Sequence, residues 1–140
     1  MLFEPEFIIQ VDGASRGNPG EASYGFVITD RSGRMIHEES QYIGRTTNNV
    51  AEYTALVKAL DFALRKKIQS VEIRSDSQLL VRQILGEYKV KSQNLESLYR
   101  RCREQLREFQ WYEIKHVPRE QNKRADKLAN QALDERIIKG

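Results

Sequence analysis

The sequence is poor in cysteine and histidine. Among 140 residues there are one cysteine and two histidines. A single cysteine excludes an intrachain disulfide, and without a Cys/His cluster nothing suggests a zinc site. Cys102 falls in a row of apolar residues at helical spacing. We therefore expect it to be a small core residue.

Long apolar runs are also lacking. The segment MLFEPEFII at the start has neither a basic beginning nor an extended hydrophobic stretch. It predicts neither a signal peptide nor a membrane span, and we expect a cytoplasmic location and no membrane partner. The 23 Lys and Arg residues exceed the 20 Asp and Glu residues slightly, for a net charge of +3. This excess permits nucleic-acid binding without demonstrating it.

Internal repeats, low-complexity tracts and long linkers are absent as well. The composition, 39% hydrophobic and 31% charged, is typical of a soluble globular chain. At 140 residues the length is that of one ordinary domain. We therefore predict one domain, residues 1–140.

The hydrophobic periodicity changes several times along the chain. Alternating and β-rich patterns predict strands at residues 7–11, 22–29, 34–43, 71–74 and 111–117. Spacings of three and four predict helices at about residues 50–64, 78–85, 94–109 and 122–137. The order β-β-β-α-β-α-α-β-α predicts an α/β (mixed α+β) fold, with a five-stranded mixed sheet flanked by helices.

Two acidic residues stand at the predicted ends of strands. Asp12, followed by Gly13, is expected to end the first strand, and Asp76 comes just after the strand at 71–74. Each could be an ordinary turn residue. If the two strands are parallel neighbours, however, both carboxylates emerge at one edge of the sheet, where ligands bind in such folds. Like charges that close repel, and one takes up a proton unless cations lie between them.

Two further acids are predicted at the starts of helices. Asn49 and Glu52 have the spacing of a capping box, and Asp126 falls in the first turn of the last helix, where an acid complements the helix dipole. Each acid alone has this simple structural explanation. All four together predict a site for Mg²⁺ or Mn²⁺, which prefer oxygen ligands. Two such ions about 3.5–4 Å apart would suit in-line phosphodiester displacement.

At these residues the sequence resembles ribonuclease H type 1. The similar stretches, in family order, are VDGASRGNPG at 11–20, TTNNVAEYTAL at 46–56, IRSDSQLLV at 73–81 and HVPREQNKRADKLAN at 116–130. The resemblance implies a ribonuclease H-like fold. It also implies an enzyme that hydrolyses the RNA strand of RNA–DNA hybrids with two metal ions, leaving 5′-phosphate and 3′-hydroxyl ends.

The resemblance also implies roles for individual residues. Asp12 would bridge both metal ions, Asp126 would hold the ion that activates water, and Glu52 and Asp76 would complete the other ion's ligands. The implied substrate-binding residues are Gly13, Ala14, Ser15, Asn18, Arg45, Thr47, Asn48, Asn49 and Gln78. Turn and helix-cap chemistry is an alternative role for the Asn and Thr residues.

The sequence departs from the best-known bacterial pattern at two places. Only residues 87–93 separate the second and third predicted helices, so the extra basic helix of many members is expected to be absent. Hybrid affinity would then come from basic residues near the last helix: Arg119, Lys123, Arg124 and Lys127. The loop before Asp126 resembles the archaeal-type and plant-domain branch, and either His116 or Arg119 could assist turnover.

Two other functions remain open at this point. One is a hybrid-binding module that has lost catalysis, although such a copy would be expected to lack one of the four acids. The other is a different nuclease or an integrase on the same fold. In either case we expect a monomer without an organic cofactor.

Overall fold

The predicted order of elements is confirmed. The structure, a computed structural model, describes residues 4–139. The strands are β1 (Phe7–Gly17), β2 (Gly20–Asp30), β3 (Met35–Thr46), β4 (Ser70–Ser75) and β5 (Trp111–His116). The helices are α1 (Asn48–Arg65), α2 (Gln78–Ile84), α3 (Gln93–Arg107) and α4 (Lys123–Lys139), with a 3₁₀ turn at Arg119–Gln121.

The five strands form one mixed sheet in the order β3-β2-β1-β4-β5. β1, β2 and β3 are antiparallel neighbours, whereas β4 pairs parallel with both β1 and β5. Parallel neighbours need long crossover connections, and here each crossover carries helices. The sequence-based prediction of a mixed sheet flanked by helices is therefore correct.

Helices cover both faces of this sheet. The main core lies between the sheet and α1, where Ile9 and Val11 of β1 and Leu56 and Leu60 of α1 are completely buried. α4 packs on β1, β2 and β3 from the other face, with α3 packed behind α1. Cys102 belongs to the main core, as expected. No helix among residues 4–139 is long and apolar enough to cross a membrane.

Two local predictions were wrong. β1 does not end at Asp12 and Gly13, because its pairing with β2 continues to Gly17 after its pairing with β4 has ended. α1 is not capped by Asn49: Thr47 is the N-cap, and its side-chain oxygen accepts a hydrogen bond from the Val50 N–H at 3.2 Å. Glu52 consequently lies in the second turn of α1 and makes no capping box.

The connection between α2 and α3 is short. α2 ends at Ile84, and Gly86 follows with φ +83°, a left-handed conformation that favours glycine. α3 begins at Gln93, and the intervening residues contain no helix. The expected absence of an extra basic helix is confirmed.

Candidate functional site

The register of the central strands brings Asp12 and Asp76 together. The last parallel pair of β1 and β4 joins Val11 to Ser75, and each acid directly follows its member of that pair. Asp12 is still within β1, bonded to β2 alone, whereas Asp76 begins the loop to α2. The two carboxylates thus emerge at the carboxyl end of the parallel strands, the usual ligand site of such sheets.

Gly13 brings Glu52 to the same place. A Cβ atom at Gly13 would overlap the backbone of Ala51 and Glu52, so the missing side chain is what lets α1 lie directly against β1. Burial raises the pKa of Glu52, although the neighbouring Gly13 backbone opposes this shift. Glu52 is only 5% exposed, and its Oε2 atom has no hydrogen-bond partner among the described residues. Such a buried lone oxygen is costly unless another group binds it.

A second glycine positions α4 and Asp126. Gly25 is the β2 partner of Asp12, and a Cβ atom there would lie 2.6 Å from the backbone nitrogen of Ala129. α4 can therefore approach the sheet closely beside Asp12. Asp126 lies in its first turn, as predicted, and lines the same cleft as Asp12.

Three of the four predicted acids converge tightly. Asp12, Glu52 and Asp76 each offer a carboxylate oxygen, and these oxygens all lie within 4.8 Å of one another. Asp126 is outside this group, although it lines the same cleft. Its Oδ1 accepts a hydrogen bond from the Asn130 amide at 3.2 Å and lies 3.6 Å from the Arg119 guanidinium.

The acids open into a cleft of about 360 Å³. Its lining residues are Asp12, Gly13, Ala14, Ser15, Asn48, Glu52, Asp76, Arg119, Asp126 and Asn130. Carboxylate, amide and hydroxyl oxygens dominate this wall, and Arg119 is its one cation among the described residues. The donor set suits a hard divalent cation, because it is made of oxygen and includes neither sulfur nor imidazole.

Burial and mutual repulsion raise the pKa values of the clustered acids. Burial raises the pKa of Asp12 to about 8, and the charge of Asp76 adds to the shift. Burial, followed by the charge of Asp12, raises the pKa of Glu52 well above its usual range. The pKa of Asp76 is also raised, mainly by burial, although a hydrogen bond from Asn122 opposes the shift. The raised pKa values favour the protonated acids when no metal is bound, and a bound cation would displace those protons.

The predicted substrate-binding residues fall into two groups. Gly13, Ala14, Ser15 and Asn48 line the cleft. Those outside its lining are Asn18, Arg45, Thr47, Asn49 and Gln78. The helix-cap alternative is correct for two of them, because Thr47 caps α1 and the Asn18 side chain accepts a hydrogen bond from the Asn48 N–H at 3.0 Å.

The two candidates for the assisting group differ in position. His116 is the last residue of β5; it is exposed, and its Nε2 atom lies 3.3 Å from the backbone oxygen of Asp76. Arg119 lines the cleft with its guanidinium beside Asp126. The geometry therefore places a fixed cation, rather than the imidazole, among the acids.

Sequence reasoning missed two asparagines. Asn122 is completely buried; its amide donates to the Val11 carbonyl at 2.9 Å and to Asp76 Oδ2 at 3.5 Å. Asn130 donates to both the backbone oxygen and the carboxylate of Asp126. The spacing of Asn130, four residues after Asp126, could have indicated its contact. Nothing local in the sequence indicates that Asn122 reaches Val11.

Comparisons with known proteins agree with this fold and site. Residues 10–132 match the sequence profile of a family described as Reverse transcriptase-like. A curated relative, Ribonuclease HI of Halobacterium salinarum, is 46% identical over 124 residues, which cover 89% of this chain and 62% of that protein. The chain therefore spans less than two thirds of that relative's length.

Solved structures show the same relationship. The crystal structure of RNase H1 from Halobacterium salinarum has a TM-score of 0.89 and 44% identity, covering 92% of this chain and 98% of the other. LC11-RNase H1, solved in complex with an RNA/DNA hybrid, has a TM-score of 0.87 and 46% identity, covering 94% and 99%. The fold and site thus define a protein of the ribonuclease H-like class with its carboxylate cluster present. Within that class, the chain belongs to the ribonuclease H type 1 family.

Proposed function

We propose that this chain is an endonuclease that hydrolyses the RNA strand of RNA–DNA hybrids, using Mg²⁺ or Mn²⁺ and leaving 5′-phosphate and 3′-hydroxyl ends. The observation that carries this proposal is the convergence of Asp12, Glu52 and Asp76 in an open cleft. Their oxygens lie close enough to share cations, and the chain belongs to a family in which one relative, LC11-RNase H1, was solved with an RNA/DNA hybrid.

The proposed metal ligands are Asp12, Glu52 and Asp76, joined by Asp126. The unpartnered buried oxygen of Glu52 supports this assignment, because a cation would bind it. The raised pKa values of Asp12 and Glu52 also support it, because a bound cation would lower them again. Two bound divalent ions would supply a water-derived nucleophile and neutralise charge at the phosphate. No serine or cysteine nucleophile is then required.

Other residues of the chain orient these acids and the substrate. Asn122 holds Asp76 through its amide, and Arg119 places a positive charge beside Asp126, where it can stabilise the charge of a bound phosphate. We assign the assisting role to Arg119 and leave His116 to orient the backbone after Asp76.

Substrate selection would occur along the cleft wall. Residues 13–15 and Asn48 lie where they can contact the sugars of the RNA strand, whose 2′-hydroxyls distinguish RNA from DNA. We propose that Asn18, Asn49 and Gln78 contact the hybrid around the cleft. Arg45 and Thr47 are proposed to bind a phosphate of the DNA strand. Because such contacts read backbone and shape, we expect little sequence preference.

The test is cleavage of an end-labelled RNA–DNA hybrid by the purified protein with Mg²⁺ or Mn²⁺. Single-stranded RNA, duplex DNA and an EDTA reaction are the controls, and gel filtration with light scattering checks the expected monomer. We expect cleavage of the hybrid's RNA strand alone. Hybrid binding without cleavage in saturating metal would instead establish a non-catalytic module, and cleavage of duplex DNA would indicate another nuclease of this fold.

A further inference from the structure

A basic surface continues from the cleft along one side of α4. Arg119 and Asp126 line both the cleft and a neighbouring depression, which also includes Lys123 and Glu120. Lys123 in turn lines the next groove together with Lys127. We call Arg119, Lys123 and Lys127 the α4 basic surface.

Helix geometry places the two lysines on the same flank of α4. Successive residues of an α-helix are rotated by about 100° around its axis. Lys123, three residues before Asp126, and Lys127, one residue after it, therefore lie about 60° and 100° from Asp126 around the axis, both on the same side. They are one helical turn apart, about 6 Å along the axis. Asp126 faces the cleft, and both lysines are therefore exposed directly beside it.

The charges of these lysines are available to a ligand. Neither Lys123 nor Lys127 forms an ion pair with any residue in the described range 4–139. Arg124, also named by the sequence argument, differs because its guanidinium makes two hydrogen bonds to Glu38 Oε2, at 2.9 and 2.6 Å. Across the two depressions four basic side chains accompany three acids, Glu38, Glu120 and Asp126, which leaves a net excess of one positive charge.

We propose that Lys123 and Lys127 bind backbone phosphates of the nucleic-acid strand where it leaves the cleft. This inference rests on the proposed function, because the cleft is taken to hold one phosphodiester of that strand. Two positive charges spaced along the exit of the cleft match the regular charge of a polynucleotide backbone. The surface supplies affinity that the short connection between α2 and α3 does not.

The test compares Lys123→Gln/Lys127→Gln with a control that loses the same charge elsewhere. Lys66→Gln/Lys67→Gln is suitable, because both lysines are exposed just after α1, at the end of the sheet opposite the cleft. Hybrid binding is measured by fluorescence anisotropy in an Asp12→Asn background with EDTA, which separates binding from cleavage. Cleavage is measured in the wild-type background on a long hybrid and on one truncated immediately beside the cleaved phosphate.

We expect the Lys123/Lys127 variant to lower the slope of log affinity against log salt by about 2, since each phosphate contact contributes about 0.9. On the long hybrid KM should rise roughly tenfold at low salt, as two exposed ion pairs of ordinary strength would give. The change should fall on KM rather than kcat, and it should disappear on the truncated hybrid. The Lys66/Lys67 variant should retain the wild-type slope.

The outcomes separate this inference from the proposed function. An unchanged salt slope in the Lys123/Lys127 variant, or an equal change in the control, would overturn the phosphate surface even if the wild type cleaves hybrids. Lack of cleavage by the wild type, with hybrid binding still dependent on the two lysines, would overturn the catalytic proposal alone. If the Asp12→Asn protein bound no hybrid in EDTA, the phosphate surface would be wrong, and cleavage by the wild type with metal would still decide the catalytic proposal.

Discussion

Asp12→Asn should stabilise the metal-free protein, and more so as the pH rises. Asp12 is 4% exposed and its pKa is raised to about 8 from an ordinary 3.8, so the folded state binds a proton more tightly than the unfolded state does. The stability of the metal-free wild type therefore falls as the pH rises from about 4 to about 8. An asparagine has a similar shape and no charge, and it avoids this cost.

The size of the effect follows from the pKa shift. About four pKa units at 1.36 kcal/mol each correspond to roughly 5 kcal/mol near pH 8. Glu52 remains buried and Asp76 half-buried in the variant, and both share the repulsion, so we expect a gain of about 2–3 kcal/mol. For a chain of this size the melting temperature should rise by about 6–12 °C at pH 8. Near pH 4 the difference should vanish.

The assay is thermal and urea unfolding in EDTA across this pH range. Asp134→Asn removes only an exposed ion pair with Arg16; it is the matched control and should stay within about 1 kcal/mol of the wild type at every pH. Adding Mg²⁺ should then stabilise the wild type far more than Asp12→Asn, because binding to the folded state alone raises its stability by mass action. If Asp12→Asn were no more stable than the wild type at pH 8, or equally stabilised at pH 4, the account of crowded buried carboxylates would be refuted.

Substitutions at three other residues test separate parts of the site. Asp76→Asn should reduce hybrid cleavage to background while the far-UV circular dichroism spectrum stays native; near-native turnover would remove Asp76 from the metal ligands. Arg119→Ala should lower kcat at least tenfold with little loss of stability, because the residue is exposed and acts through charge. Arg119→Lys should recover part of the rate. Unchanged kinetics in both variants would exclude Arg119 from the assisting role. Asn122→Ala should lower the free energy of unfolding in urea by about 1–3 kcal/mol, since it leaves the buried Val11 carbonyl unpaired. It should also weaken the stabilisation by Mg²⁺, because Asp76 loses its contact with the Asn122 amide. Full stability with a full response to Mg²⁺ would show that the contacts of Asn122 are dispensable.

Local patterns in the sequence predicted much of this fold. The change from alternating to helical spacing located all nine major elements among the described residues, because the side chains of a strand and of a helix must face one core. The error at the end of β1 has a physical cause. Asp12-Gly13 is typical of a turn, whereas β2 supplies hydrogen bonds that keep this stretch extended.

The site was predicted less completely than the fold. The sequence predicted that Asp12 and Asp76 lie side by side, because few topologies are possible for parallel crossovers. Glu52 was named with the wrong local role, since the sequence favoured a cap at Asn49 where Thr47 acts. The contact of Asn122 with Val11 joins residues 111 positions apart, and no short-range pattern encodes it. No short-range pattern predicts the close approach of α1 to Gly13 or of α4 to Gly25 either.

Those glycines have a consequence for how the protein tolerates change. Gly13 and Gly25 occupy adjoining levels of neighbouring strands, and each meets a helix through main-chain atoms. The separations among Asp12, Glu52 and Asp126 are therefore fixed by backbone against backbone, independently of the larger apolar side chains deeper inside. Volume-preserving exchanges among those interior side chains should leave the spacing of the acids intact, whereas one methyl group at either glycine would push a helix, with its acid, away from the others.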